Sequence, residues 1–195
     1  MDFTLHHTCD AEGEIADISK PFLSTHTQAT PKALGTGYYF FDNNSTMAHA
    51  HGKNRCRRKY YIFELKMQIK ANFLDLVGNR NDIIFLQGLM EKFRPYLKKD
   101  EEWSLGRLVE LARSFVSEEF NFPYQIIRII DSSLPPEKVS ENFRLSWFPE
   151  KKYSEQEEKP KTQKFINLNP VFTVCFSPEY DFSGLNFAHI HTNKK

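Results

Sequence analysis

The sequence lacks four features that would each have placed it in a particular class of protein. Its cysteines number three, are far apart and form no CxxC pair, so neither a disulfide framework nor a zinc knuckle is expected. No run of about 18 apolar residues predicts a membrane span, and the first residues lack the basic and apolar regions of a signal peptide. The formal net charge is only +1, so a global basic field does not indicate nucleic-acid binding. A cytoplasmic, reducing location is the expectation.

The histidine pairs do not indicate a metal centre either. His49 and His51 form one H-x-H pair, and His189 and His191 form another. Metal ligands on a helix need a spacing of four residues, H-x-H suits strands, and no carboxylate motif accompanies either pair. No metal site is therefore predicted. The cysteines lack an identifiable histidine or aspartate partner, so a thiol nucleophile is not predicted.

Phenylalanine, by contrast, is abundant, with 18 residues, which predicts a Phe-rich core. Apolar residues at helical spacing predict two long helices, over Asp82–Leu97 with Asp82 as a candidate cap, and over Trp103–Phe120. Alternating, aromatic or β-branched stretches predict strands at Phe3–His7, Pro21–Leu23, Tyr38–Phe41, Tyr60–Gln68, Ala71–Val77, Tyr124–Ile130, Asn142–Phe148 and Phe165–Phe176.

The order of these elements favours an α+β fold. Strands outnumber helices and do not alternate regularly with them, as they would in a doubly wound sheet. Glu14–Ile18 is predicted as one helical turn, Glu150–Gln163 as a charged mobile loop, and the tail from Ser177 as packed on the body. Without repeats or a clear linker, residues 1–195 are expected to form a single domain.

The most distinctive stretch runs from Leu34 to His51, with the sequence LGTGYYFFDNNSTMAHAH. Two glycines lead into Tyr38–Phe41, which is too aromatic and too short for a surface helix. Asp42–Ser45 offers N-cap candidates for a helix over Thr46–His51. A Rossmann turn is excluded because the glycines precede a strand and a third glycine is missing, and a P-loop is excluded because no G-K-[ST] exists.

This stretch resembles the G-x-G-x-Y-F-x-D-x-x-x-x-x-A motif of ADP-ribosyltransferases of the diphtheria-toxin and poly(ADP-ribose) polymerase type. The motif positions fall on Gly35, Gly37, Tyr39, Phe40, Asp42 and Ala48. The family also has an aromatic-His-x-[Ser/Thr] pattern on its first strand, and here L-H-H-T places His6 on the histidine and Thr8 on the hydroxyl residue. The resemblance covers roughly the first 60 residues well and the last strand loosely.

The resemblance implies a split β-sheet whose cleft binds NAD+ in a folded conformation, with the two long helices as an insertion. His6 would hydrogen-bond the adenosine side of the cofactor or the nicotinamide ribose. Tyr39 would stack on nicotinamide, and the backbone of Gly37 would approach the carboxamide. The expected cofactor-binding set is His6, Thr8, Gly35, Gly37, Tyr39 and Met47.

The sequence departs from the family at the catalytic acid and in the nicotinamide pocket. Val171 occupies the position of the glutamate that begins a late strand in polymer-forming members. Met47 and Ala50 replace a small hydroxyl residue and a second tyrosine. Glu179, which follows the last predicted strand, is the nearest acid in sequence that could replace the glutamate, so the expected catalytic set is His6, Tyr39 and Glu179.

Each of these assignments has a structural alternative. His6 could be a strand histidine satisfied by the backbone, with His7 on the opposite face, and a register error of one residue would exchange the two. Tyr39 could be a core aromatic. The basic run Lys53–Lys59 could be a solvated loop or a patch for phosphates, with Tyr60 and Tyr61 stacking on bases.

The sequence thus predicts an NAD+-dependent ADP-ribosyltransferase that transfers one ADP-ribose to a protein or nucleic acid. A toxin with an antitoxin or regulatory partner is the expected context, without a membrane partner. One alternative is a catalytically inactive ADP-ribosyltransferase-like binding module. The other is a nucleic-acid-binding or nuclease domain built around Lys53–Tyr61.

Overall fold

A computed structural model describes residues 1–10, 21, 23–24, 32–55, 60–96, 104–115, 120–130, 144–146, 165–167 and 171–192. The chain falls into two compact units, residues 1–130 with 172–195, and residues 131–171. The expectation of one ADP-ribosyltransferase-like domain over 1–195 stays a prediction. The predicted helical turn at Glu14–Ile18 and the predicted loop at Glu150–Gln163 lie outside the described residues.

Strands dominate the described part of the chain. In chain order they are β1 (Asp2–Asp10), β2 (Tyr38–Asp42), β3 (Tyr60–Gln68), β4 (Phe73–Asp75), β5 (Ile126–Ile130), β6 (Arg144–Ser146), β7 (Phe165–Asn167), β8 (Phe172–Phe176) and β9 (Phe187–Thr192). In the first unit, seven of them form one sheet in the order β4-β5-β8-β2-β1-β3-β9. The β4–β5 pair is parallel and the other neighbours are antiparallel, so the sheet is mixed.

In the described ranges, three α-helices accompany the sheet: α1 (Ser45–Arg55), α2 (Arg80–Phe93) and α3 (Leu105–Ser114). A side-chain acceptor caps each N-terminus, because Asn44, Asn79 and Ser104 accept from amides in the following turn. The combination of these helices with a mixed sheet confirms the predicted α+β class. The predicted cap Asp82 is wrong, since Asp82 lies inside α2 and accepts from the amide of Asp75 at 2.7 Å.

Both predicted long helices are shorter in the structure. Helix α2 gives way to a 3-10 turn at Arg94–Tyr96, where Pro95 cannot donate to the helical ladder. Helix α3 ends at Ser114, with Phe115 in an extended conformation as the C-cap. None of the helices in the described ranges is long and apolar enough to cross a membrane.

The core covers both faces of the sheet. On one face, strand residues such as Leu5, Phe40 and Phe176 pack against the tail after β8, including Tyr180 and Phe182. We call this the tail face, and it confirms the predicted packing of the tail. The opposite face contacts the helices through two further apolar clusters, one around Leu34, Val109 and Ile127 and one around Ala48, Tyr60 and Ile62.

The late part of the chain differs most from the prediction. Phe165–Phe176 is not one strand, since β7 pairs with β6 in the second unit whereas β8 belongs to the seven-stranded sheet. At Pro21–Leu23 no strand is assigned among the described residues, and Ser24 forms an isolated bridge with Gly37. Strand β9 was not predicted.

Candidate functional site

Strand β2 lies at the centre of the region that the sequence motif indicates. Its neighbours in the sheet are β1 on one side and β8 on the other. The strand with His6 and Thr8 and the strand with Tyr39 are therefore adjacent, and the strand that directly follows Val171 is next to them. Antiparallel pairing brings these distant parts of the chain together.

His6 and Tyr39 lie on the same face of the sheet. His6 pairs directly with Phe41 across the two strands, and directly paired residues share a face. Side chains alternate along a strand, so Tyr39 falls on the face of Phe41 and Thr8 falls on the face of His6. We call this the helix face, because α1 and α3 contact it. His7 points to the tail face, as the alternation predicts.

The ladder between β1 and β2 is short. Towards Tyr39, the carbonyl oxygen of β2 is bonded by the ring of His7 and not by a backbone amide of β1. Nδ1 of His7 lies 2.6 Å from the carbonyl oxygen of Tyr39. A carbonyl oxygen only accepts, so Nδ1 carries the proton. The two registered pairs of the ladder are Leu5 with Asp42 and His6 with Phe41.

Burial keeps His7 neutral. Desolvation lowers the pKa of His7 to about 4, against the effect of the Tyr39 hydrogen bond and with a smaller contribution from nearby His51. The ring also packs on Phe40, with centroids 5.0 Å apart. A neutral, buried imidazole at this position joins the tail-face core to the backbone of β2.

His6 is also buried, and its partner comes from the other neighbouring strand. Its side chain is 6% exposed, and Nε2 lies 3.4 Å from Oε2 of Glu64 on β3. The other carboxylate oxygen of Glu64 pairs with the exposed Lys66 at 3.1 Å. Nδ1 of His6 is buried and has no hydrogen-bond partner among the described residues. It is therefore a polar atom that a ligand could satisfy.

Thr8 and Met47 are held by local contacts with helix α1. The hydroxyl of Thr8 donates to the carbonyl oxygen of Ala48 at 2.8 Å, so it joins β1 to the helix. The backbone amide of Met47 donates to the capping Asn44 at 3.0 Å, and its side chain is half-buried. Both residues were expected to contact the cofactor. They lie next to α1, and the hydroxyl of Thr8 is bonded to the carbonyl oxygen of Ala48.

The glycine turn before β2 fits closely against the rest of the protein. Gly35 has a φ of +76°, a conformation that favours glycine. A Cβ atom at Gly37 would overlap the carbonyl oxygen of Phe176 and the sulfur of Cys175. Gly37 also forms paired backbone hydrogen bonds with Ser24, at 2.9 and 3.0 Å. Gly37 therefore allows β2 to approach β8, whereas Gly35 lies against the side chain of Glu110.

Tyr39 is fixed by the same turn. Its hydroxyl donates to the carbonyl oxygen of Gly35 at 2.6 Å and accepts from the amide of Leu34 at 2.9 Å. Burial, with a further contribution from Cys175, raises the pKa of Tyr39 well above its usual range. Burial also raises the pKa of Cys175 to about 12. Both groups are therefore neutral at physiological pH, and Tyr39 can offer a ligand its ring but not a free hydroxyl.

Helix α3 holds the turn from outside. The amide of Thr36 donates to Oε1 of Glu110, and the carbonyl oxygen of Thr36 accepts from Nη1 of Arg113 at 2.7 Å. Two backbone groups of the glycine turn are thus satisfied by side chains more than seventy residues away. The sequence motif contains no signal for these partners.

The motif residue Asp42 belongs to a buried ion-pair network. Its carboxylate lies 2.8 Å from Nη2 of Arg128 on β5, and Asp75 lies 3.7 Å from Nη1 of the same guanidinium. The guanidinium also lies over the ring of Phe172 at 4.7 Å. Buried charges need such partners, so Asp42 ties the end of β2 to β5 across β8.

The structure does not bring an acid from β8 to His6. Glu179 is exposed and lies in the turn after β8, at the end of the strand that pairs with Tyr38 rather than Phe41. Val171 is 3% exposed and apolar. Among the described residues, the acid that contacts His6 is Glu64, which the sequence reasoning missed because a cross-strand neighbour cannot be assigned without the strand register.

The basic run Lys53–Lys59 begins in the last turn of α1, and the tyrosines that follow it offer little support for base stacking. Tyr60 is 2% exposed and packs under α1, where its ring fills the space beside Gly52. Tyr61 is half-buried and stacks on Phe63. The expected stacking role of Tyr60 is therefore wrong, and residues 56–59 lie outside the described residues. Within the described ranges, no cluster of three or more His, Cys, Asp or Glu side chains could hold a metal ion.

The chain is thus an α+β protein with a mixed seven-stranded sheet, and His6 and Tyr39 lie on the face of that sheet that contacts the helices. Comparison with protein-family models, with curated proteins and with solved structures gave no match.

Proposed function

We propose that the protein is an NAD+-dependent ADP-ribosyltransferase that transfers one ADP-ribose to a macromolecular acceptor, with a toxin as the expected context. The observation that carries this proposal is the position of His6 and Tyr39. They share one face of two adjacent strands, where the ladder between the strands has only two registered pairs. We expect a flat ligand to lie on this face, against the histidine and the tyrosine.

The chemistry of the site suits binding and orientation of the cofactor. Nδ1 of His6 is a buried polar atom that a ribose hydroxyl could satisfy. The ring of Tyr39 is held in place through its hydroxyl, so little entropy is lost when an aromatic nicotinamide stacks on it. The apolar cluster around Tyr39 would help to exclude water from the glycosidic bond.

Such a site acts mainly by positioning. Cleavage of the bond between the ribose anomeric carbon and the nicotinamide nitrogen develops positive charge on the ribose, and nicotinamide leaves as a neutral molecule. A nucleophilic atom of the acceptor forms the new bond to the anomeric carbon and loses its proton. Orientation and desolvation of the two reactants can supply much of the rate enhancement.

A second candidate function is a catalytically inactive module that binds NAD+, ADP-ribose or a partner. Two observations favour it. Val171 provides no carboxylate at the position of the family glutamate, and Glu179 lies in an exposed turn at the opposite end of β8. The hydroxyl of Thr8 is engaged by Ala48. This module would bind the cofactor without consuming it.

Turnover of NAD+ separates the two candidates. The full chain is incubated with NAD+ labelled in its adenylate part together with cell lysate, and label on macromolecules and release of nicotinamide are measured. We expect labelling by the wild type and none by His6→Ala or Tyr39→Ala. His189→Ala and Tyr96→Ala alter an exposed histidine and an exposed tyrosine and serve as controls that retain activity.

The outcomes are distinct. Labelling that survives both His6→Ala and Tyr39→Ala would refute the assigned site. Binding of NAD+ by the wild type without nicotinamide release would favour the inactive module. Salt-dependent binding of nucleic acid that does not need His6, without binding of NAD+, would favour the nucleic-acid-binding alternative.

A further inference from the structure

Within the described part of the chain, the acid that contacts His6 comes from a strand that the sequence motif does not include. Glu64 is directly opposite His6 in the β1–β3 ladder, and its side chain lies on the helix face because paired residues share a face. It reaches His6 through one carboxylate oxygen and Lys66 through the other. Its side chain is 22% exposed, so the pair lies at the boundary between the buried site and solvent.

The contact determines which nitrogen of His6 carries the proton. A carboxylate 3.4 Å from Nε2 favours a proton on that nitrogen, since two facing lone pairs would repel each other. A proton on Nδ1 would place a buried donor where the described residues offer no acceptor, which is unfavourable. The neutral tautomer with hydrogen on Nε2 therefore presents Nδ1 as a bare acceptor.

We propose that Glu64 is a positioning residue of this site, which holds His6 in the Nε2–H tautomer so that Nδ1 accepts a hydrogen bond from a ribose hydroxyl of NAD+. This inference rests on the proposed function. Of the polar groups of NAD+ that can donate to an imidazole nitrogen, the ribose hydroxyls are neutral, short and attached to a rigid ring. A neutral donor suits a buried acceptor, because burial of a charged group would cost more free energy.

The first test needs no ligand. Two-dimensional spectra that correlate ring protons with ring nitrogens report the tautomer of each histidine, and His6→Gln identifies the His6 signals. We expect Nε2–H in the wild type and a mixture of tautomers in Glu64→Gln. Lys66→Gln is the matched control, because it removes the other ion pair of Glu64 while leaving His6 facing the carboxylate, and it should retain Nε2–H.

The second test measures NAD+ binding by calorimetry. Glu64→Gln should weaken binding about tenfold, the range of one lost hydrogen bond to a well-placed acceptor, whereas Lys66→Gln should change it less than about twofold. Binding of NAD+ analogues that each lack one ribose hydroxyl identifies the hydroxyl that donates to His6. With the analogue that lacks the hydroxyl bound by His6, Glu64→Gln should no longer weaken binding.

Thermal melts of Glu64→Gln and Glu64→Ala show whether a loss of binding reflects unfolding, since a variant that melts cooperatively above the assay temperature is folded when binding is measured. A Glu64→Gln variant that retains the pure Nε2–H tautomer, or that binds NAD+ as tightly as the wild type, would overturn the inference alone. A wild type that binds no NAD+ would overturn the proposed function and the ribose assignment together, whatever the tautomer.

Discussion

The two sides of strand β2 are built differently. Towards β8, four residue pairs are in register, from Tyr38 with Phe176 to Phe41 with Thr173, and the preceding glycine turn is held by Glu110 and Arg113. Towards β1, two pairs are in register. Beyond these pairs, the amide of Asn43 donates to the carbonyl oxygen of Thr4 at 2.7 Å at one end, and the ring of His7 donates to the carbonyl oxygen of Tyr39 at the other.

In the proposed site, this difference would assign positioning of the tyrosine ring to the β8 side and hydrogen bonding of the ligand to the β1 side. The β8 side places Tyr39 through close backbone approach and satisfied polar groups, so the position of the ring does not depend on a ligand. On the β1 side the ladder is shorter, with the ring of His7 bonded to the backbone of β2, and one buried nitrogen of His6 has no hydrogen-bond partner among the described residues. We therefore expect stability to depend most on the β8 side and ligand binding to depend most on the β1 side.

The largest effect should come from Gly37→Ala, on the β8 side. The added methyl group would overlap a backbone oxygen and a buried sulfur, and the backbone cannot move without disturbing the β2–β8 ladder. We expect a loss of at least about 3 kcal/mol in the free energy of unfolding, measured by urea denaturation. Gly88→Ala is the control, since nothing lies near its Cβ position, and it should stabilise α2 slightly. Equal stability of both variants would contradict the close approach of β2 and β8.

The next effect concerns His7 and the β1 side. Its pKa of about 4 in the folded protein lies below the ordinary value of 6.5, so the unfolded chain binds the proton more readily. The contribution of neutral His7 to the free energy of unfolding is complete above pH 6.5. It falls by about 1.4 kcal/mol per pH unit as the pH drops from 6.5 to 4, which is about 3 kcal/mol in total.

His7→Asn isolates this contribution, because its amide can donate to the Tyr39 carbonyl but does not titrate. The free energy of unfolding of both proteins is measured by denaturation from pH 7.5 to 4. As the pH falls, the wild type should lose more stability than His7→Asn. A difference that stays constant over this range would show that His7 is not buried as a neutral group.

Tyr39→Phe tests the division of tasks at a single residue. It removes the hydroxyl and leaves the Leu34 amide and the Gly35 carbonyl without that partner, which should cost about 2 kcal/mol of unfolding free energy. The ring remains, so NAD+ affinity measured by calorimetry should stay within about threefold of the wild type, whereas Tyr39→Ala should abolish binding. Loss of NAD+ binding in Tyr39→Phe, with the fold intact, would mean that the hydroxyl rather than the ring meets the ligand.

The smallest effect should come from Glu110→Gln on α3. The amide oxygen can still accept from Thr36, but the charge-assisted bond becomes a neutral one, at a cost of about 1 kcal/mol. Glu91→Gln removes an exposed pair with Arg94 at 3.5 Å and should change stability by less than about 0.5 kcal/mol. Urea denaturation of both variants would detect the difference, and identical midpoints would show that α3 does not hold the glycine turn.

Local patterns were enough to predict much of the sheet. The aromatic run Tyr38–Phe41 and the alternating run Tyr60–Gln68 correspond closely to β2 and β3. Hydrophobic periodicity extended α3 too far, because Phe115 and Phe120 pack on α2 without being helical. Phe165–Phe176 looks continuous in sequence, but β7 and β8 pair with different partners, and pairing is a property of the whole fold.

The candidate site was predictable only where it is local in sequence. His6, Thr8 and Tyr39 follow from short motifs, and strand alternation correctly assigned His6 and His7 to opposite faces. Glu64, Glu110 and Arg113 were missed because their contacts depend on strand register and on the packing of a helix from a distant part of the chain. Glu179 was chosen by proximity in sequence, and the turn in which it lies is exposed.

The central claim is that NAD+ binds on the helix face between His6 and Tyr39. Titration of the isotope-labelled full chain with NAD+, followed by backbone amide spectra, tests it most directly. We predict saturable shifts centred on residues 6–8 and 37–41 that are absent in His6→Ala. Saturable shifts confined to other strands, or no shifts at millimolar NAD+, would contradict it.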